Sequence, residues 1–172
     1  MNEVLVGRQP IFDRYQQVIA YELLYRSPDG SRLNDGDQAT MQVVVNTFSN
    51  IGLEHLAGRQ PAFINFTRNF LTGRIPIPFP PRQVVLEVLE DITIDAELVT
   101  ALQGLVRQGY QLALDDVSAF SQVNGLLRLA RYVKIDLLAV PPNQLAALVA
   151  QFKPFGVRLL AEKVETQADL EL

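Results

Sequence analysis

Short apolar runs recur along the chain, and most of them end in a polar or charged residue. Leu112, Ala113 and Leu114 lead into the adjacent pair Asp115 and Asp116, with Gly109 as the preceding helix stop. Ala62–Phe66 holds Asn65 near its end, Val84–Leu89 carries Glu87, Tyr132–Asp136 carries Lys134, and the run after Gly156 carries Glu162. Runs this short and apolar, bounded by glycine or polar clusters, fit strands buried on both faces. The steps from Asn65 to Glu87, Asp115, Lys134 and Glu162 are 22, 28, 19 and 28 residues. Each step accommodates the loop, helix and return that a parallel strand needs from its crossover. The polar groups therefore arrive at one face of one parallel sheet, the end at which α/β folds keep their chemistry.

The segments between predict the rest. Residues 4–12 and 17–25 flank a polar turn and read as a β-hairpin, with Glu22 on the same strand face as Val18, Ala20 and Leu24. Residues 27–37 are rich in turn formers. Met41, Val44, Val45, Phe48, Ile51 and Leu56 recur at near-helical spacing and predict one helix over 38–56, closed by Gly58. His55 falls in its last turn, where it suits the helix dipole better than a catalytic role. Residues 68–81, with alternating prolines, predict an extended loop. Asp95 predicts an N-cap for a helix to about Gln108, and further helices are expected near 122–131 and 143–153. Thr166 and Asp169 have capping-box spacing.

Composition changes this picture little. At 172 residues, with 48% hydrophobic and 20% charged content, one domain spanning 1–172 is expected. A net charge of −4 argues against a DNA-binding surface, and no apolar run approaches a membrane span. No signal peptide is evident at the start, so a cytoplasmic setting is the default. Without cysteine, any metal is held by oxygen ligands.

The chemistry then follows from charge. Glu22, Glu87, Asp115, Asp116 and Glu162 cannot all stay ionised at one mouth without a cation. Magnesium or manganese suits such oxygen donors, and a two-metal centre is the usual engine for phosphodiester hydrolysis. A lysine beside it would orient water or offset phosphate charge. A carboxylate pair for glycoside chemistry would use fewer of these residues.

The order of motifs resembles the EAL domain, the cyclic di-GMP phosphodiesterase module of bacterial signalling. Gln9-Pro-Ile looks like its opening QPI, and Glu22-Leu-Leu-Tyr-Arg26 sits where the family has E-A-L-(L/V)-R. Asn65-Phe-Thr67 resembles N-x-(S/T), Glu87-Val-Leu-Glu90 resembles E-x-T-E, and Leu114-Asp115-Asp116, Lys134-Ile-Asp136 and Ala161–Thr166 resemble LDD, KID and AEGVET. In the last, Lys163 stands where the family has glycine. The resemblance covers nearly the whole chain. It implies an α/β fold, a modified (β/α)8 TIM-type barrel with an antiparallel first hairpin. It also implies that Glu22, Asn65, Glu87 and Asp115 ligate metal and that Asp116 supports a second ion. Lys134 and Glu162 would position the attacking water, and Gln9 and Arg26 would contact the dinucleotide.

Two departures qualify these expectations. Val117-Ser118-Ala119-Phe120-Ser121 replaces the family's glycine-containing loop, which couples metal, substrate and homodimer formation. The family's last strand, with its Q-G-(Y/F) motif, has no counterpart before residue 172, so the barrel is expected to be incomplete and the chain part of a longer one. The Glu-Leu-Leu and AEKVET variants resemble proteins that join a divergent EAL domain to a C-terminal HDOD domain. Two functions stay open at this stage: a signalling module that binds cyclic di-GMP or a protein partner with weak or no catalysis, and an active metal-dependent phosphodiesterase yielding pGpG.

Overall fold

The inward face of every strand carries an apolar residue and, two positions further toward the mouth, a polar one. That repeat organises the fold. The computed structural model describes residues 5–26, 36–45 and 52–170. Among these, seven strands form one sheet in sequence order: β1 (Leu5–Phe12), β2 (Val18–Arg26), β3 (Ala62–Phe66), β4 (Val84–Val88), β5 (Gln111–Val117), β6 (Tyr132–Asp136) and β7 (Arg158–Glu162). Only β1 and β2 pair antiparallel; every later pair is parallel. This is the expected barrel-type topology with its first hairpin reversed. It is incomplete among the described residues, where β1 and β7 are the sheet's edges.

Local chemistry explains the element ends. Asp13 accepts from the amides of Tyr15 and Gln17, which folds the hairpin turn. Helix α4 (Ala96–Arg107) starts where Asp95 accepts from the Leu98 amide at 2.9 Å, satisfying a donor with no partner inside the helix. Leu98 and Leu102 are its buried positions. Helix α6 (Pro142–Phe152) begins with a proline, whose missing amide costs nothing there. Asp169 accepts from the Thr166 amide while its own amide donates to Thr166 Oγ1, so the expected capping box forms at α7 (Gln167–Leu170).

Three helical expectations need correction. The span 38–56 is not one helix: α1 (Gly36–Val45) and α2 (Leu53–Ala57) are separate. Gly52 lies between them at φ 84, a conformation that no α-helix contains. Residues 27–35 and 46–51, including the predicted turn and Phe48 and Ile51, lie outside the described residues. The stretch 68–81 is not loop throughout, since Arg68–Leu71 forms α3 with Phe70 and Leu71 buried. The helix expected near 122–131 is the single turn α5 (Phe120–Val123). Beyond it Leu126 and Leu129 donate to carbonyls three residues back, the pattern of successive tight turns.

The main core lies between the sheet's outer face and the helices, with Phe66, Leu86, Leu98, Leu112 and Phe152 at its centre. A smaller apolar layer, Ala20, Phe63, Val85, Ala113 and Tyr132, lines the inner face. Phe63 and Tyr132 meet edge to face at 5.1 Å. Ile11 and Leu160 extend this layer at its two ends.

Candidate functional site: carboxylates converging on a buried lysine

Two residues beyond each member of the inner apolar layer stands a polar one. Ala20 leads to Glu22, Phe63 to Asn65, Val85 to Glu87, Ala113 to Asp115, Tyr132 to Lys134 and Leu160 to Glu162. Strand side chains alternate, so a step of two keeps the same face and climbs one layer toward the C-terminal ends. Pairing register sets Asn65 opposite Glu87 and staggers others by one such step: Glu22 pairs with Phe63, Glu87 with Ala113 and Lys134 with Leu160. On the antiparallel β1 the step runs backward from Ile11 to Gln9, which pairs with Glu22.

Lys134 is the hub. Its Nζ lies 2.6 Å from Glu87 Oε1, 2.7 Å from Asp115 Oδ1, 2.9 Å from Glu162 Oε1 and 3.4 Å from Glu22 Oε2. It is not a surface lysine that reaches out to water, for only 2% of it is exposed. Burial pulls its pKa down, but the carboxylates of Glu87, Asp115, Glu22 and Glu162 outweigh that and hold it raised. The acids feel the opposite balance. Burial raises Glu87 well above its ordinary value despite Lys134 and raises Glu22 as well; Glu162 is pushed up to about 7. One ammonium cannot neutralise four carboxylates, and burial favours the protonated forms of Glu87, Glu22 and Glu162.

The donor set suits a hard cation in kind. Every group facing Lys134 offers oxygen, and Asn65 Oδ1, Glu87 Oε1 and Oε2 and Glu162 Oε2 are buried without a hydrogen-bond partner. The short Glu87 Oε1 contact with Lys134 is thus a contact of charges without hydrogen-bond alignment. As the side chains stand, no three acidic or histidine groups among the described residues are arranged to hold a metal ion. The ammonium occupies the point on which the carboxylates converge.

Asp116 faces a different partner. Its φ of 45° turns the backbone into the left-handed region at the end of β5, and its carboxylate meets Lys163 Nζ at 3.1 Å. The same ammonium lies 2.5 Å from Asp136 Oδ2. Asp136 Oδ1 also accepts from the amides of Leu138 and Ala139. Burial would raise its carboxyl, but these bonds, led by that from Lys163, hold it below its ordinary value. Gln9 is exposed on β1. Arg26 ends β2, and its side chain lies outside the described residues. Sequence reasoning noted Lys163 only as a departure from a glycine and Asp136 only as part of a motif; neither was assigned to a site. The legible signal was the lysine's placement two residues past the end of Leu160 and Ala161's run, beside the acid of the last strand.

Past Asp116, the altered loop is closed by Gln122, whose Oε1 accepts from the amides of Ser118 and Ala119 at 3.0 and 2.8 Å. Phe120 packs against Phe152 and Phe155. A cleft of about 690 Å³ opens past the ends of β3 and β4, lined among others by Asp37, Thr67, Asn69 and Asp91.

No family model matches the chain. It is 42% identical over 173 residues to the uncharacterized protein YuxH of Bacillus subtilis, covering 96% of this chain and 42% of that protein. It is 34% identical over 172 residues to the cyclic di-GMP phosphodiesterase CdgJ of Vibrio cholerae, covering 97% and 40%. The chain thus spans about two fifths of the length of these curated relatives. Among solved structures, the manganese and cyclic di-GMP complex of Klebsiella pneumoniae BlrP1 superposes with a TM-score of 0.73 at 22% identity, covering 98% of this chain and 52% of that one. The EAL domain of Mycobacterium smegmatis DcpA superposes with a TM-score of 0.69 at 26% identity, covering 97% and 84%. Motif order, sheet topology and these likenesses agree: the chain belongs to the EAL domain family as a divergent member.

Proposed function

We propose that this domain binds cyclic di-GMP at the C-terminal mouth of the sheet, together with a divalent cation, as a signalling module. The observation that carries this reading is the polar layer itself: four carboxylates around one buried lysine, an asparagine opposite Glu87, and carboxylate and amide oxygens left without partners. In this reading Glu22, Asn65, Glu87 and Asp115 hold the cation, magnesium or manganese, and Asp116 supports a second. When bound, the ion supplies a counter-charge for the phosphodiester and acidifies a coordinated water. Gln9 and Arg26 contact the dinucleotide. The Klebsiella protein's complex with manganese and cyclic di-GMP supports the choice of ligands. The greater length of the curated relatives is consistent with a partner domain, here expected to be HDOD, and a homodimer is the expected assembly.

A second reading is hydrolysis to pGpG. It is favoured by Glu162, whose carboxyl titrates near 7 beside Lys134, a suitable range for taking a proton from water. Lys134 would hold that water and the phosphate charge in place. The loop after Asp116, braced by Gln122 without glycine, favours binding over turnover.

The test is calorimetric titration of cyclic di-GMP in Mn²⁺, followed by chromatography of the same mixture for pGpG. Binding that vanishes on chelation and in Glu22→Ala and Asp115→Asn is expected. Binding indifferent to chelation and to both substitutions would overturn the reading. Product in the wild-type mixture would promote the second reading to the first.

A further inference from the structure

We infer that Lys163 is a tethered cation that occupies the place of a second divalent ion at the mouth, so that the domain takes up one ion and not two. The inference rests on the metal-dependent reading above and concerns only the number of ions.

Two ammonium groups serve the carboxylates of this mouth, and their charge balance differs. Lys134 faces four carboxylates, and buried oxygens around it lack partners. Demand for positive charge there is unmet. Lys163 faces two, Asp116 and Asp136, at 3.1 and 2.5 Å. Asp136 is further satisfied by two backbone amides, and the Asp116 side chain, 36% exposed, is also open to water. A divalent ion approaching Asp116 would meet a carboxylate already paired, and would first have to displace an ammonium bound to its own chain. A tethered charge competes at a high effective concentration.

The backbone supports a dedicated role. Lys163 sits at φ 57 and Asp116 at φ 45, both left-handed. Aspartate tolerates this region, but lysine enters it only at an energetic cost. Such a conformation persists only where its surroundings hold it. Here the holding contacts are the two ion pairs, which tie the segment after β7 across the ends of β5 and β6. Lys163 is therefore a positioning residue: its ammonium pairs with Asp116 and Asp136 at the place a second ion would take.

The experiment counts Mn²⁺ bound per chain by equilibrium dialysis with electron paramagnetic resonance of the free ion. It compares wild type with Lys163→Gly and Lys163→Asn. Both variants remove the charge, and both residues accept a left-handed backbone, so either can serve if the other folds poorly. One ion in the wild type and two in the variants is expected, returning to one in the double variant Lys163→Gly with Asp116→Asn. One ion in every protein would overturn this inference and leave the metal reading standing. Two ions in the wild type would also overturn it alone. No ion in any of them would overturn the metal reading, and this inference with it.

Discussion

Lys134 and Glu162 show how burial turns ordinary side chains into a charge-sharing unit. Lys134 is the sole ammonium within reach of Glu22, Glu87, Asp115 and Glu162 among the described residues. Replacing it with methionine keeps volume but strands the carboxylates. Removing one partner of a buried ion pair costs about 3–5 kcal/mol. Lys134→Met is therefore expected to lose that much stability at pH 7.5 in urea unfolding. The deficit should shrink at pH 5, below the pKa of about 7 to which Glu162 is pushed, and on adding Mn²⁺. An unchanged unfolding midpoint at pH 7.5 would contradict the counter-charge role. Glu162 works in the other direction. Its folded pKa, about 7, lies above its ordinary value of 4.5, so the folded state binds the proton more tightly than the unfolded chain. Stability contributed by that proton is complete below 4.5 and is lost as pH rises through 7. In metal-free buffer Glu162→Gln should stabilise the domain above pH 7 and have no such effect below pH 4.5. A gain independent of pH would show that the carboxyl does not titrate in this window.

At the scale of elements, the strands were legible and several helices were not, for different reasons. Strand identity and facing are fixed by a period of two, and every inner-layer position obeys it: Phe63 then Asn65, Val85 then Glu87, Ala113 then Asp115. The anomaly of an acid or lysine inside an apolar run, as at Glu87 and Lys134, was itself the site signal. Helix extents depend on single residues that periodicity does not weigh. Gly52 at φ 84 divides the span 38–56, and Met41, expected on the apolar face, is exposed. The position of Lys163 beside Glu162 was legible but its partners were not, because the contacts join β5, β6 and the turn after β7, a proximity visible only once the strands are paired. The layering carries its own prediction. Phe63, 1% exposed and stacked edge to face on Tyr132, floors the polar layer. Phe63→Ala should cost about 3–5 kcal/mol. Phe12→Ala, at a side chain 52% exposed, should stay within about 0.5 kcal/mol. Equal losses in denaturant unfolding would mean the inner layer contributes no more than a surface aromatic.

Across the whole molecule, burial falls from the centre of the sheet to its last strand. All five residues of β4 are buried, as are all five of β6. In β7 no residue is, and Arg158 and Ala161 are exposed. β4 pairs on both sides, with β3 and β5, whereas β7 pairs only with β6 among the described residues. Yet β7 carries Glu162, and the turn after it carries Lys163, so an edge strand with no buried residue and its following turn contribute two of the site's charges. Opening free energies follow burial and pairing, and elements with few buried contacts open at a fraction of the global cost. Amides of β7 are therefore expected to exchange orders of magnitude faster than those of β4 in native-state hydrogen exchange. Mn²⁺ with cyclic di-GMP should slow β7 far more than β4, because a ligand that engages Glu162 stabilises the closed strand by its own binding free energy. β4 exchanges through global opening, so it gains only the overall stabilisation. Uniform exchange across β4 and β7 would mean that the sheet opens as one unit, and that the ions at the mouth are not what holds its last strand in place.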